Sequence, residues 1–220
     1  MEEVEVCLAV WKRVDRLPKL IEQLKNQTKK DFRLNIWNNS GEKLNIDFPK
    51  LQVINSPVNV GSIGRFRLTP YTEGKCIIFI DDDLDLELDF IEYMYEAWKD
   101  NPDDIQGWFT RVFKTGYWNS IPYSPEDTEV DYVGTGGMTL SRDIFDDEPA
   151  LQFPPPEVEK VEDLWLCYLA RERGMKLYAL EPHCKIEADE HDQYKGLISY
   201  KEIAYQFLKD KGWKTINERG

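Results

Sequence analysis

Five apolar residues, Cys76 to Ile80, run directly into Asp81-Asp82-Asp83, and no other stretch constrains the fold as tightly. An unbroken apolar run of strand length is buried on both faces, which places it in the middle of a sheet covered by helices. Carboxylates at the C-terminal end of such a strand fall where open α/β sheets bind ligands. Crowded there, they repel one another and their proton affinities rise unless a cation neutralises them, so a divalent ion is a natural resident. Oxygen donors favour Mg2+, Mn2+ or Ca2+ over Zn2+. The plainer alternative is an acidic turn that opens the next helix. An EF-hand would use Asp81, Asp83, Asp85, Glu87, Asp89 and Glu92, but Leu86 stands where that loop requires glycine. An aspartyl nucleophile of a phosphate-transferring enzyme is a third possibility, because it too places Asp-x-Asp after an apolar strand.

The flanking sequence supplies the rest of an α/β fold. Val4 to Val10 predicts a buried first strand, and Leu20, Ile21 and Leu24 recur at helical spacing after Pro18, with Asp15 as the expected N-cap. Phe32 to Trp37 predicts a second strand closed by the turn residues Asn38 to Gly41, and Leu51 to Asn55 a third. Phe90 to Trp98 reads as a helix, as does Glu162 to Arg173, which Gly174 stops. A strand is predicted over Lys176 to Leu180, and Ser199 with Glu202 forms a capping box for a last helix ending near Gly212. Residues Gly107 to Asp131 are aromatic and turn-rich, with antiparallel strands expected, and Asp131 to Arg142 reads as a glycine-rich loop entering a strand. The alternation predicts a central, mostly parallel sheet with helices on both faces and a smaller antiparallel portion, in one domain over 1–220.

Charge and composition exclude several function classes. With 41 acidic against 28 basic residues the net charge is −13, which repels a phosphate backbone, so no nucleic-acid partner is expected. No apolar run approaches the roughly 20 residues of a membrane span. The acidic opening Met1-Glu2-Glu3 lacks the form of a secretory signal, giving a cytoplasmic expectation. The four cysteines contain no C-x-x-C pair and are expected to be buried, reduced thiols.

Three further features bear on chemistry. Asn59-Val60-Gly61-Ser62-Ile63-Gly64-Arg65 combines glycines, which let backbone amides approach a phosphate, with an arginine that pairs with one; a plain loop is the alternative. Glu162 and Asp163 open a helix, where acids complement the dipole or act as a general base. Only two histidines occur, and one of them, His191, lies among acids in Ala188-Asp189-Glu190-His191-Asp192, as a metal ligand or a surface residue.

In this order the pieces resemble the GT-A fold glycosyltransferases, in particular the inverting family-2-like enzymes that use nucleotide-diphosphate sugars. The opening strand and helix look like the family's first βα unit, and Asn38-Asn39 stands where the family usually has an acidic turn. The segment from Asn59 to Arg65 resembles its N-x-G element, Asp81-Asp82-Asp83 its DxD motif and Glu162-Asp163 its xED motif. Gly134 to Met138 is similar to the acceptor-side loop, and His191 lies near the place of a C-terminal metal histidine. In compactness the chain is similar to bacterial enzymes and to GT-A domains of large algal DNA viruses.

The resemblance implies a hexosyltransferase with a nucleotide-sugar-binding half, 1–105, and an acceptor half, 106–220. It implies a donor site of Val10, Trp11, Arg13, Asn39, Asn59, Gly61, Arg65, Asp81 and Asp82, with UDP as the expected nucleotide. Asp83 and His191 would hold Mn2+ or Mg2+, Asp163 would serve as general base beside Glu162, and Gly136, Gly137 and Trp165 would border a glycan or glycoprotein acceptor. Trp108, Tyr117, Trp118 and Tyr123 are candidates to stack on sugar or to pack in the core. A phosphoaspartate-type phosphatase and an inactive nucleotide-sugar-binding module remain the alternatives.

Overall fold

A computed structural model describes residues 3–187 and 194–219. The first half contributes strands β1 (Val4–Val10), β2 (Arg33–Asn38), β3 (Leu51–Asn55), β4 (Cys76–Ile80) and a short β5 (Leu84–Leu86). The second adds β6 (Ile105–Gly107), β7 (Thr110–Phe113), β8 (Ser120–Pro122), β9 (Tyr132–Val133), β10 (Met138–Ser141), β11 (Leu177–Ala179) and β12 (Cys184–Ile186). Helices are α1 (Leu17–Asn26), α2 (Phe90–Asp100), α3 (Asp143–Asp147), α4 (Glu162–Glu172), α5 (Tyr194–Asp210) and α6 (Ile216–Arg219).

Seven strands form the main sheet in the order β11-β6-β10-β4-β1-β2-β3. Its pairs are parallel except around β10, which runs antiparallel to both β4 and β6. As the apolar run predicts, β4 is central, and all five of its residues are fully buried. Its side chains alternate between two cores. Ile77 and Phe79 face a cluster with Phe66, Phe145 and the apolar side of α4, while Cys76, Ile78 and Ile80 face Leu20 and Leu24 of α1 and Met94 of α2. Helices therefore cover both faces. A separate antiparallel sheet, β8-β7-β9, accounts for the irregular stretch of sequence, and β12 pairs with β5 beside the acidic turn.

Local details depart from the sequence expectations in three places. Asp15 is not a helix cap: it lies in a 3-10 turn, Val14–Arg16, and α1 starts after Arg16 without a side-chain cap. The end of the stretch read as a plain loop, Ser62 to Gly64, instead opens a 3-10 segment, Ser62–Tyr71, that buries Ile63, Phe66 and Leu68. Ser199 caps nothing, because α5 already runs from Tyr194, and the Glu202 carboxylate instead accepts the Tyr117 backbone N–H at 3.1 Å. The glycine stops hold, with Gly174 and Gly212 both at positive φ. The four cysteines are buried and unpaired, and burial pushes the thiols of Cys76 and Cys184 up to about 12. Among the described residues no helix is long and apolar enough to cross a membrane.

Candidate active site

Because β1, β2 and β4 run parallel, their C-terminal ends lie side by side, and a cleft of about 1020 Å³ opens there. Val10, Trp11 and Arg13 reach it from the end of β1, Asn39 from the end of β2, and Asp81, Asp82 and Asp83 from the end of β4. The loop with Asn59 and Gly61 closes that side. Asn39 braces it, donating from Nδ2 to the Gly61 carbonyl at 3.0 Å while its Oδ1 accepts the Val60 N–H at 3.0 Å. The Asn59 side chain accepts the Gly61 N–H at 2.8 Å, and Gly61 has φ +79°, a left-handed conformation that favours glycine.

The three aspartates have different partners. Asp82 is buried and pairs with Arg13 Nη1 at 2.9 Å; burial raises its pKa against the pull of Arg13. Asp81 pairs with the buried Arg65 guanidinium. Asp83 has Arg13 Nη2 at 3.3 Å, yet burial and repulsion from Asp81 push its pKa up to about 7. It is a carboxylate short of counter-charge at the cleft wall, and a hard divalent cation fits that deficit.

Across the cleft, α4 starts with two acids facing different ways. Glu162, only 2% exposed, accepts from Ser62 Oγ at 2.6 Å and lies 3.8 Å from Arg65 Nε. Burial holds its pKa up at about 7 against the opposing charge of Arg65. Asp163 is half-buried, accepts the Tyr132 hydroxyl and accepts the Leu164 N–H at 2.8 Å. Burial and then the Asp163 charge raise the Tyr132 pKa, which keeps that phenol a hydrogen-bond donor. Arg65 thus lies between Asp81 and Glu162, and it also reaches the Ile80 carbonyl at 3.4 Å and the Thr135 carbonyl at 3.5 Å.

Of Gly136, Gly137 and Trp165 only Gly136 lines the cleft, together with Gly134 and Thr135 of the same loop, and a Cβ on Gly136 would lie 2.5 Å from Asp81 Oδ2. Gly137 is set back from the wall at φ +100°, against the indole of Trp108. Trp165 is a core residue: two positions beyond Asp163 the helix has turned by about 200°, so the indole donates to Ala150 O at 3.1 Å and stacks on Tyr168. Trp108 and Tyr123 line the cleft, whereas Tyr117 is fully buried and Trp118 donates to Ile198 O at 3.0 Å away from the wall. His191 lies outside the described residues. His183 is not on the cleft: it stacks on Tyr93 and bonds Asp89 at 3.0 Å, and with Glu87 these residues form a separate cluster. Sequence reasoning missed Ser62, Tyr132, Arg111 and Lys201, which only tertiary pairing brings to the wall.

A mostly parallel sheet with one reversed strand, acids at the end of its central strand and a second acidic pair opening a helix across the cleft define the GT-A class of glycosyltransferase domain. Residues 5–145 match the family described as Glycosyl transferase family 2, and the chain belongs to that family. No match was found among curated proteins.

Proposed function

We propose that the protein transfers a hexose from a UDP-linked sugar to an acceptor hydroxyl, a glycan's or a glycoprotein's, with inversion at the anomeric carbon. The observation that carries this reading is the division of roles at the start of α4, where Glu162 is tied inward to Ser62 and Arg65 while Asp163 is oriented by Tyr132 and Leu164 beside the cleft. A carboxylate so held takes the proton of the acceptor hydroxyl as its oxygen attacks the anomeric carbon. The sugar–diphosphate bond breaks on the opposite face, so one displacement inverts the centre. Glu162 acts as a positioning residue through Arg65.

The donor end uses the first-half residues of a single domain, with 1–105 as the donor half and 106–220 as the acceptor half. Asp81 faces the nucleotide, and the loop at Asn59 and Gly61 presents backbone to it. Asp83 would hold Mn2+ or Mg2+, which when bound supplies charge neutralisation for the leaving diphosphate. The resemblance alone adds His191 to that ion.

Calorimetric titration of UDP, GDP, dTDP and their sugars, with and without Mn2+, tests the reading, followed by an assay for slow donor hydrolysis. UDP is expected to bind only with the metal present, and silence across the whole panel overturns the proposal. In Asp83→Ala the metal-dependent part of the affinity is expected to disappear; Mn2+-dependent binding as in the wild type would move the ion to other residues. Gly136→Ala is expected to weaken UDP binding by about tenfold, or 1.4 kcal/mol, because the new methyl displaces Asp81. Unaltered affinity in that variant would show that Asp81 does not face the nucleotide.

A further inference from the structure

Although the chain carries an excess of acids, the cleft that holds Asp163 is also lined by the cations Arg111, Lys160 and Lys201. Arg111 on β7 is 9% exposed and Lys201 on α5 is 8% exposed, and both line the cleft. They converge on one ring: the Arg111 guanidinium lies 4.7 Å and the Lys201 ammonium 5.1 Å from the centre of Tyr117. Lys201 also donates to the Tyr117 hydroxyl at 3.1 Å. Arg111 Nη1 donates to Ser120 Oγ at 2.9 Å, but its buried Nε has no partner, and among the described residues Arg111 forms no ion pair. Aromatic stacking satisfies the faces of a guanidinium and leaves its in-plane donors. A buried guanidinium without a carboxylate is costly, and a second cation against the same ring adds repulsion, so Arg111 is suited to an anion that a ligand brings.

The position of this pair relative to the proposed base indicates which ligand. Arg111 is the register partner of Tyr132 in the β7–β9 pair, so their side chains stand on the same face, and the Tyr132 hydroxyl donates to Asp163. Asp163 in turn is among the charges that favour the protonated form of Lys201. An acceptor whose hydroxyl meets Asp163 therefore brings its neighbouring substituents to Arg111 and Lys201. Lys160, at the rim against Tyr200, likewise forms no ion pair among the described residues.

We propose that the acceptor is an anionic sugar, carrying a carboxylate or phosphate next to the accepting hydroxyl, and that Arg111 with Lys201 receives that group. The proposal rests on the glycosyl-transfer reading and deepens it. Its test uses the full chain saturated with UDP and Mn2+, titrated with methyl glucoside, glucuronate and glucose 6-phosphate. At least one anionic sugar is expected to bind about tenfold or more tighter than the neutral glucoside, as charge-assisted hydrogen bonds allow. That advantage is expected to shrink at high salt, to vanish in Arg111→Gln and to survive in part in Arg111→Lys. Whether glucuronate or glucose 6-phosphate shows it distinguishes carboxylate from phosphate.

Equal binding of neutral and anionic sugars overturns the proposal, as does an advantage that persists undiminished in Arg111→Gln. A parallel comparison of UDP-glucuronate with UDP-glucose covers the other source of the anion: an Arg111-dependent preference confined to that arm assigns the group to the donor and overturns the acceptor assignment. Failure of UDP to bind at all, with anionic sugars still captured in an Arg111-dependent manner, would sink the glycosyl-transfer reading while leaving the anion site standing. Should Arg111→Gln fail to fold, the ratio of anionic to neutral affinity and its salt dependence in the unaltered protein decide.

Discussion

Asp163→Asn is expected to lower sugar transfer by about 10²- to 10⁴-fold, the usual contribution of a positioned general base, while Mn2+-dependent UDP affinity stays within twofold. The substitution suits the geometry. The side-chain amide keeps its oxygen on the Leu164 N–H and turns its nitrogen to donate to the Tyr132 oxygen, whose own hydroxyl proton rotates away, so the start of α4 stays capped while the proton-accepting capacity is lost. Single-turnover transfer measured beside calorimetric UDP binding separates the two effects. Normal turnover in the variant would place the base elsewhere, and a joint loss of turnover and UDP binding would give Asp163 a role in donor binding.

The features that were legible in sequence share a local cause. The Cys76–Ile80 run identifies a central strand because burial on both faces needs no information from distant residues, and the aspartates follow it by adjacency. The same holds for α4 and its acidic start, which Gly174 terminates where the pattern ends. What was not legible depends on pairing across the chain. Glu162 and Asp163 are neighbours in sequence, and only Ser62 and Arg65 on one side and Tyr132 on the other give them different roles. Trp165 reads as a cleft residue until helical rotation is followed to Ala150 and Tyr168. Ser199 and Glu202 have the spacing of a capping box, yet Glu202 is engaged by the backbone of Tyr117, 85 positions away. Arg111 and Lys201 come from a strand and a helix far apart in the chain and meet only at Tyr117.

Removing Arg65 is expected to have the largest effect on stability. Arg65 is 5% exposed and lies between Asp81 and the 2%-exposed Glu162, while the Nη1 that pairs with Asp81 also reaches the carbonyls of Ile80 and Thr135. Arg65→Met keeps much of the apolar stem and deletes the charge, so two carboxylates lose their shared cation; breaking a buried pair in this way costs about 3 to 5 kcal/mol. For a chain of this size each kcal/mol lowers the melting temperature by roughly 2 to 4 °C. The cost is pH-dependent, with a definite sign. Wild-type Glu162 already has a pKa near 7, raised by burial against the pull of Arg65, and without Arg65 it rises further. A carboxyl whose folded-state pKa exceeds its unfolded value stabilises least at high pH, because the unfolded chain ionises freely while the folded one retains its proton. Below about pH 7 both proteins fold with Glu162 protonated, so the gap in melting temperature should be smallest there; it should widen from pH 6 to pH 9, where only the wild type ionises Glu162 beside a cation. A gap that does not change with pH would show that Glu162 is not the group that suffers. Arg65→Lys should recover part of the stability, since it restores a charge, but little of the transfer activity, because an ammonium lacks the planar fork that reaches Asp81, Glu162 and the two carbonyls together.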